Sequence, residues 1–207
     1  MRRAFPEVYA EWWPRFERLA TAFCGWEAAR RPGLKLIHVE RSGALAIPLP
    51  DGRTLTLRAR ADRIEEGRDG SLTIVDFKTG APPGTKEICA GFSPQMTLEG
   101  AMLRHGAFAE VPAAAHTPGL VYVQVSGGTP PLRPREVEPR KGETLGALVD
   151  EHERRLRGLL ARYASGEAAY LSRPFPKYAK RVSAYDHLAR VKEWSAASAG
   201  GFEGEGA

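Results

Sequence analysis

The strictest constraint on the fold is the run from Arg53 to Ile64. Leu55, Leu57, Ala59 and Ala61 alternate there with Thr54, Thr56, Arg58, Arg60 and Asp62. A period of two marks a strand with one face buried and the other open to solvent. Asp51-Gly52 precedes the run and Asp69-Gly70 follows it. Both are turn dipeptides, because Gly accepts a left-handed backbone and Asp bonds to its own turn. The run is therefore expected in the middle of an antiparallel meander. Leu34 to Arg41 and Gly43 to Leu49 read as two strands ahead of it, and Leu72 to Lys78 as one behind it.

Helical spacing appears on either side. Residues 5–29 read as a helix in which Trp12, Trp13, Phe16, Leu19, Ala20 and Phe23 recur as an aromatic core face. Pro14 would set the start of that helix near itself, since proline breaks a helix interior. Arg30-Arg31-Pro32-Gly33 ends it, and Gly80-Ala81-Pro82-Pro83-Gly84 ends the meander. Ser93 and Pro94 predict an N-cap and first turn for a helix reaching about His105. Gly119 to Ser126 reads as a buried strand, residues 127–140 as a loop, and 141–165 as a charged amphipathic helix. This order predicts an α/β (α+β) fold, a mixed central β-sheet with antiparallel hairpins flanked by helices. One domain is expected over 1–195, with a disordered tail rich in Gly, Ala, Ser and Glu over 196–207.

Hydrophobic residues make up 43% of the chain, and no apolar run could cross a bilayer. No h-region follows Arg2 and Arg3, so neither a membrane partner nor secretion is expected and the location expected is cytoplasmic. Cys24 and Cys89 form no disulfide framework or zinc motif and read as reduced thiols. A net charge of +5 draws the chain weakly towards polyanions. Arg133, Arg135, Arg140 and Lys141, and then Arg154, Arg155 and Arg157, read as solvated charge or as contacts to a phosphate backbone. Lys177, Lys180 and Arg181, near Phe175 and Tyr178, could meet single-stranded DNA.

The chemistry concentrates in two pieces, Arg60-Ala61-Asp62-Arg63-Ile64 and Val75-Asp76-Phe77-Lys78-Thr79-Gly80. Residues two apart on a strand share a face, so Asp76 and Lys78 point the same way from an otherwise apolar strand. Buried charges are costly unless they pair or bind metal. Counting back through a turn at Asp69-Gly70 places Asp62 across from about Phe77, hence beside Asp76. Two adjacent carboxylates repel, and a hard divalent cation removes the repulsion. Mg²⁺, with Mn²⁺ as an alternative, is the cofactor expected, held by Asp62, Asp76 and the carbonyl of Phe77. Lys78 would then orient or deprotonate water for phosphodiester hydrolysis. A structural ion pair is the alternative for Asp76 and Lys78.

The segment from Ala59 to Leu103 resembles the RecB-type nuclease domain of the PD-(D/E)XK superfamily, and is most similar to the C-terminal nuclease domain of AddB-type subunits of AddAB helicase–nucleases. The matching pieces are Ala61 to Ile64, Ile74 to Gly80 and Gly91 to Glu99, with Tyr170 to Pro174 and Tyr185 to Val191 further on. The resemblance implies a restriction-endonuclease-like fold and a metal-dependent deoxyribonuclease of exonuclease type that processes DNA ends in double-strand break repair. It assigns Asp62 and Asp76 to metal, Lys78 to catalysis and Gln95 to support of the site. The partners implied are DNA and an AddA-like helicase–nuclease subunit; this chain carries no Walker A sequence of its own.

Two departures accompany the likeness. The family places a His on a helix ahead of its first strands, but His38, the only upstream His, falls on an expected strand. The chain therefore reads as an N-terminally truncated fragment. Where the family commonly has a Tyr one turn after the Gln, this chain has Glu99, which could reach the site through water or stand in solvent. Glu40, Glu7, Glu11 and Glu17 could approach the site, yet nothing in their spacing selects one. Two cysteines cannot hold the four-cysteine iron–sulfur cluster of some AddB-like nucleases, so no cluster is expected. The competing reading is a non-catalytic DNA-binding or scaffolding module that retains the nuclease fold.

Overall fold

The computed structural model describes residues 6–169. The 196–207 tail, the pieces Tyr170 to Pro174 and Tyr185 to Val191, and the group Lys177, Lys180 and Arg181 all lie outside the described residues. Two compact units divide the chain at Ala164 and Ser165, and the first carries every element named here.

The long helix α1 (Pro6–Arg30) comes first, and a single 3₁₀ turn leads from it into β1 (Leu34–Pro48). Hairpins join β1 to β2 (Thr54–Gly67) and β2 to β3 (Leu72–Lys78). Helices α2 (Thr85–Ala90) and α3 (Gln95–Arg104) then carry the chain over to β4 (Gly119–Val125), which runs parallel to β3. An antiparallel β5 (Leu132–Glu136) closes the far edge, and α4 (Leu145–Ala164) follows. The sheet order is β1-β2-β3-β4-β5, a mixed sheet flanked by helices as the α+β reading expects.

The centre of the sheet is covered on both faces, which is why β3 and β4 are nearly continuous apolar runs. On one face Ile64, Ile74, Leu120 and Tyr122 join a core with Met96 and Leu103 of α3 and Leu148 and Val149 of α4. On the other, Val75, Val121 and Val123 pack with Phe77 and with Trp26 of α1. Beneath α1, Glu65 is 1% exposed and accepts from Arg63 Nε at 2.9 Å and from Arg30 Nε at 3.2 Å. Arg63 also pairs with Glu27 at 2.8 Å, and both guanidiniums lie over the Trp26 ring.

Several expectations need correction. The two strands read before Asp51 are one. Arg41, Ser42 and Gly43 stay in the ladder, opposite Ala61, Arg60 and Ala59. Gly43 serves packing within the strand, since a Cβ there would sit 2.8 Å from the Phe108 ring. Helix α1 continues through Pro14 instead of starting near it. Proline removes one backbone bond, and contacts straddle the gap: Tyr9 stacks on Trp13, Trp13 Nε1 donates to Glu17 at 2.7 Å, and Glu11 pairs with Arg15. The aromatic face is core only at its C-terminal end. Trp12, Trp13 and Phe16 are exposed, while Phe23 and Trp26 meet Phe77.

Ser93 does not cap α3. The N-cap is Pro94, and the Ser93 hydroxyl donates to Glu87 instead. The expected loop 127–140 contains β5, whose Pro134 is tolerated because an edge strand has one unpaired side. Helix α2 escaped the sequence reading because six residues are too few for a periodic signal. Arg140, Arg155 and Arg157 pair with Glu143, Glu151 and Glu153 inside the chain.

Candidate metal and nuclease site

Three elements converge where β3 meets the crossover to β4. The β2–β3 ladder runs to Arg63 opposite Val75. One step further along this antiparallel register sets Asp62 against Asp76, one residue from the expected partner Phe77. Burial changes phase at this point: Ala61 and Ile64, three positions apart, both enter the core with Asp62 between them. Opposite the change, Glu40 takes a left-handed φ of 54° between the paired residues Val39 and Arg41. Asp62 is half-buried, and its Oδ2 accepts the Phe77 N–H at 3.0 Å, which ties the carboxylate to the backbone of β3.

Asp76 is 4% exposed. Lys78 Nζ donates to its Oδ1 at 3.0 Å and lies 2.8 Å from Oδ2, an ion-pair distance without hydrogen-bond geometry. Asp76 Oδ2 is therefore buried and, apart from this ion pair, meets no hydrogen-bond donor among the described residues. Gln95 opens α3 and links the cluster. Its Nε2 donates to Asp76 Oδ1 and to Glu99 Oε1, each at 3.1 Å, and its Oε1 accepts from Lys78 at 3.4 Å. Both amide hydrogens and the carbonyl are thus engaged, which fixes the orientation of the side chain.

The electrostatics follow from burial. Desolvation pushes the Asp76 carboxyl above its ordinary value; Lys78 and Gln95 oppose this, and Asp62 adds to it. Glu99 is 4% exposed, and its burial, with Asp76 and Asp62 nearby, raises its carboxyl from 4.5 to about 7. Tyr122 stands beside Asp76 in the parallel register, and burial and the acidic neighbours push its phenol up to about 12. The Lys78 ammonium lies 6.0 Å from the Tyr122 ring centroid, at the limit of a cation–π contact.

A stability prediction arises here. Below pH 4.5 Glu99 is protonated folded or unfolded, and its burial carries no charge penalty. Between pH 4.5 and about 7 the unfolded chain releases the proton and the folded chain keeps it, so stability falls as pH rises. Above about pH 7 the loss is complete, at about 3 kcal/mol from this group. In cation-free urea unfolding, Glu99→Gln should match the parent near pH 4 and exceed it near pH 8. A difference that does not change with pH would contradict the assignment.

Glu99 is the residue that sequence reasoning left between water-linked and solvated, and the structure buries it. Its signal was its place one helical turn after Gln95. Tyr122 gave no signal, because a parallel register between β3 and β4 is set across a long crossover. The other candidates lie elsewhere. Glu40 is exposed and paired with Arg60, and His38 is buried beside Glu66. Glu7, Glu11 and Glu17 are exposed on α1. Cys24 is exposed and Cys89 buried.

Among the described residues, no three of His, Cys, Asp and Glu are grouped to hold a metal by themselves. The donors present nevertheless suit a hard, hydrated cation. Mg²⁺ uses one or two carboxylates and keeps several waters, and Asp76 Oδ2 and Glu99 Oε2 are buried acceptors without a hydrogen bond among the described residues.

Comparison with known proteins agrees with this geometry at the level of family. Uncharacterized proteins of Rickettsia conorii and Rickettsia felis are each 35% identical over 97 residues. That stretch is 47% of this chain and spans only 12% and 11% of their length. A solved structure described as the crystal structure of SSO0001 matches with a TM-score of 0.36 at 16% identity, over 66% of this chain and 57% of its own, too slight a likeness to carry argument. The sequence pattern of the PD-(D/E)XK nuclease superfamily matches residues 1–185, and the chain belongs to that superfamily.

Proposed function

We propose that this chain is a Mg²⁺-dependent DNA nuclease domain that hydrolyses phosphodiester bonds, with Mn²⁺ an acceptable substitute. The observation that carries the reading is the cluster at the end of β3, where a buried Asp76 is held by Lys78 and Gln95 beside Asp62. Asp62, Asp76 and the Phe77 carbonyl would hold the cation, which supplies charge neutralisation at the phosphoryl oxygens and a more acidic water.

The chain's own groups do the rest. Asp76 presents Oδ2, held by the Lys78 ion pair alone among the described residues, while Gln95 keeps Oδ1 engaged. Lys78, with its ammonium beside Asp76, orients the attacking water and offsets negative charge as it builds on the phosphoryl group. Gln95 fixes the Lys78 ammonium relative to Asp76, so little reorganisation is needed when substrate arrives.

The RecB-type and AddB-type resemblance supports a place in a helicase–nuclease that processes DNA ends in double-strand break repair, with an AddA-like subunit supplying the motor. It also supports exonuclease action in the cytoplasm. Among the described residues no helix is long and apolar enough to cross a membrane.

Linear single- and double-stranded DNA incubated with the chain in Mg²⁺ or Mn²⁺ tests the reading. Cleavage is expected, lost with chelator and lost in Asp76→Ala. Cation binding by calorimetry without cleavage, in the parent chain, would favour a DNA-binding module that retains the nuclease fold.

A further inference from the structure

Glu99 is placed unlike an ordinary helix glutamate. It is 4% exposed, in the first turns of α3, and no Lys or Arg forms an ion pair or hydrogen bond with it among the described residues. Among the described residues the Gln95 amide donates to its Oε1, and Oε2 is buried with no hydrogen-bond partner. A carboxylate left so is costly, and such a position is retained by a fold chiefly where something else satisfies it. The Gln95 Nε2 that binds Glu99 also binds Asp76, so the two carboxylates are separated by the span of one shared amide. Asp62, Asp76 and Glu99 together oppose the single ammonium of Lys78. Fully ionised, the cluster carries two excess negative charges, which one divalent cation neutralises.

We propose that Glu99 is the third carboxylate of the cation site, binding Mg²⁺ through a water of its hydration shell that donates to Oε2. This rests on the nuclease reading of Asp62 and Asp76 and adds to it an acid from α3. An outer-shell role agrees with the absence of three convergent ligands among the described residues and with the reluctance of Mg²⁺ to shed water. It also gives Gln95 a second task, since its saturated amide sets the spacing between the Asp76 and Glu99 carboxylates.

Mg²⁺ titrated calorimetrically into the full chain at pH 8 tests this. The parent should bind one cation, and Asp76→Asn should bind none. Glu99→Gln should keep the stoichiometry and weaken affinity about tenfold, the usual effect of losing an outer-shell partner. Glu99→Asp, which keeps the charge but draws it back, should weaken binding less than Glu99→Gln, and it serves if the glutamine variant folds poorly. Equal affinity in the parent and Glu99→Gln would overturn the proposal while leaving the nuclease reading standing. A parent that binds no Mg²⁺ at millimolar concentration would remove both.

Discussion

Lys78→Ala should lower DNA cleavage roughly 10³-fold while leaving Mg²⁺ affinity unchanged or tighter. The loss follows from position. The Lys78 ammonium lies within 3.0 Å of Asp76 and 3.4 Å of Gln95, on the face where substrate phosphate would meet the carboxylates. On the proposed reading a charge held there acts on the transition state, and removing such a group costs about 10²–10⁴ in rate. The affinity follows from sign. Lys78 is a cation beside the proposed cation site, so removing it should relieve repulsion and free Asp76 from an ion pair.

The alternative, a structural ion pair, makes the opposite prediction. Lys78 would then matter chiefly to stability, and cleavage by the folded variant would persist. Single-turnover cleavage and calorimetry on the same preparation separate the two. Parallel loss of metal binding and activity would show that Lys78 organises the carboxylates rather than the chemistry.

The second large effect concerns stability. Glu65→Ala should destabilise the chain by about 4 kcal/mol, lowering the melting temperature by roughly 10 °C. Glu65 sits between Arg30 and Arg63, and Arg63 is 7% exposed under α1. Removing the carboxylate leaves that guanidinium buried with Glu27 as its one remaining ion pair among the described residues. Deleting one partner of a buried pair is expensive, whereas replacing both by apolar groups of similar volume is often nearly neutral. The double variant Glu65→Leu with Arg63→Met should therefore recover much of the loss seen in Glu65→Leu alone. Urea denaturation of the three variants measures it. If the double variant is as unstable as the single, the network contributes through packing against Trp26 rather than charge.

How much of this was legible in the sequence depended on the range of the interaction. The alternation from Leu55 to Ala61, and the turn dipeptides Asp51-Gly52 and Asp69-Gly70, are local, and so is the apolar run from Leu72. Together they determined the hairpins, the position of β3, and the pairing of Asp76 with Lys78 on one face, because period two and glycine turns act within a few residues. The same reading placed Asp62 within one residue of its partner, since a hairpin register follows from its turn.

Other features needed the tertiary structure. The break expected between Arg41 and Gly43 proved to be continuous strand, with Phe108 packed against Gly43. Trp12, Trp13 and Phe16 resembled core, yet their rings are exposed. A loop with Pro134 became a strand because β4 offered an edge. Glu99 could be read in sequence only as a neighbour of Gln95. Its burial, the sharing of one amide with Asp76, and the approach of Tyr122 arise because α3 crosses from β3 to β4 and lowers its first turns onto the end of the sheet. The sequence by itself determined which acids and which lysine are present and which strand carries them. Only the packing of α3 on β3 and β4 decided that a third carboxylate would be buried among them, because burial depends on what covers a residue and not on what precedes it.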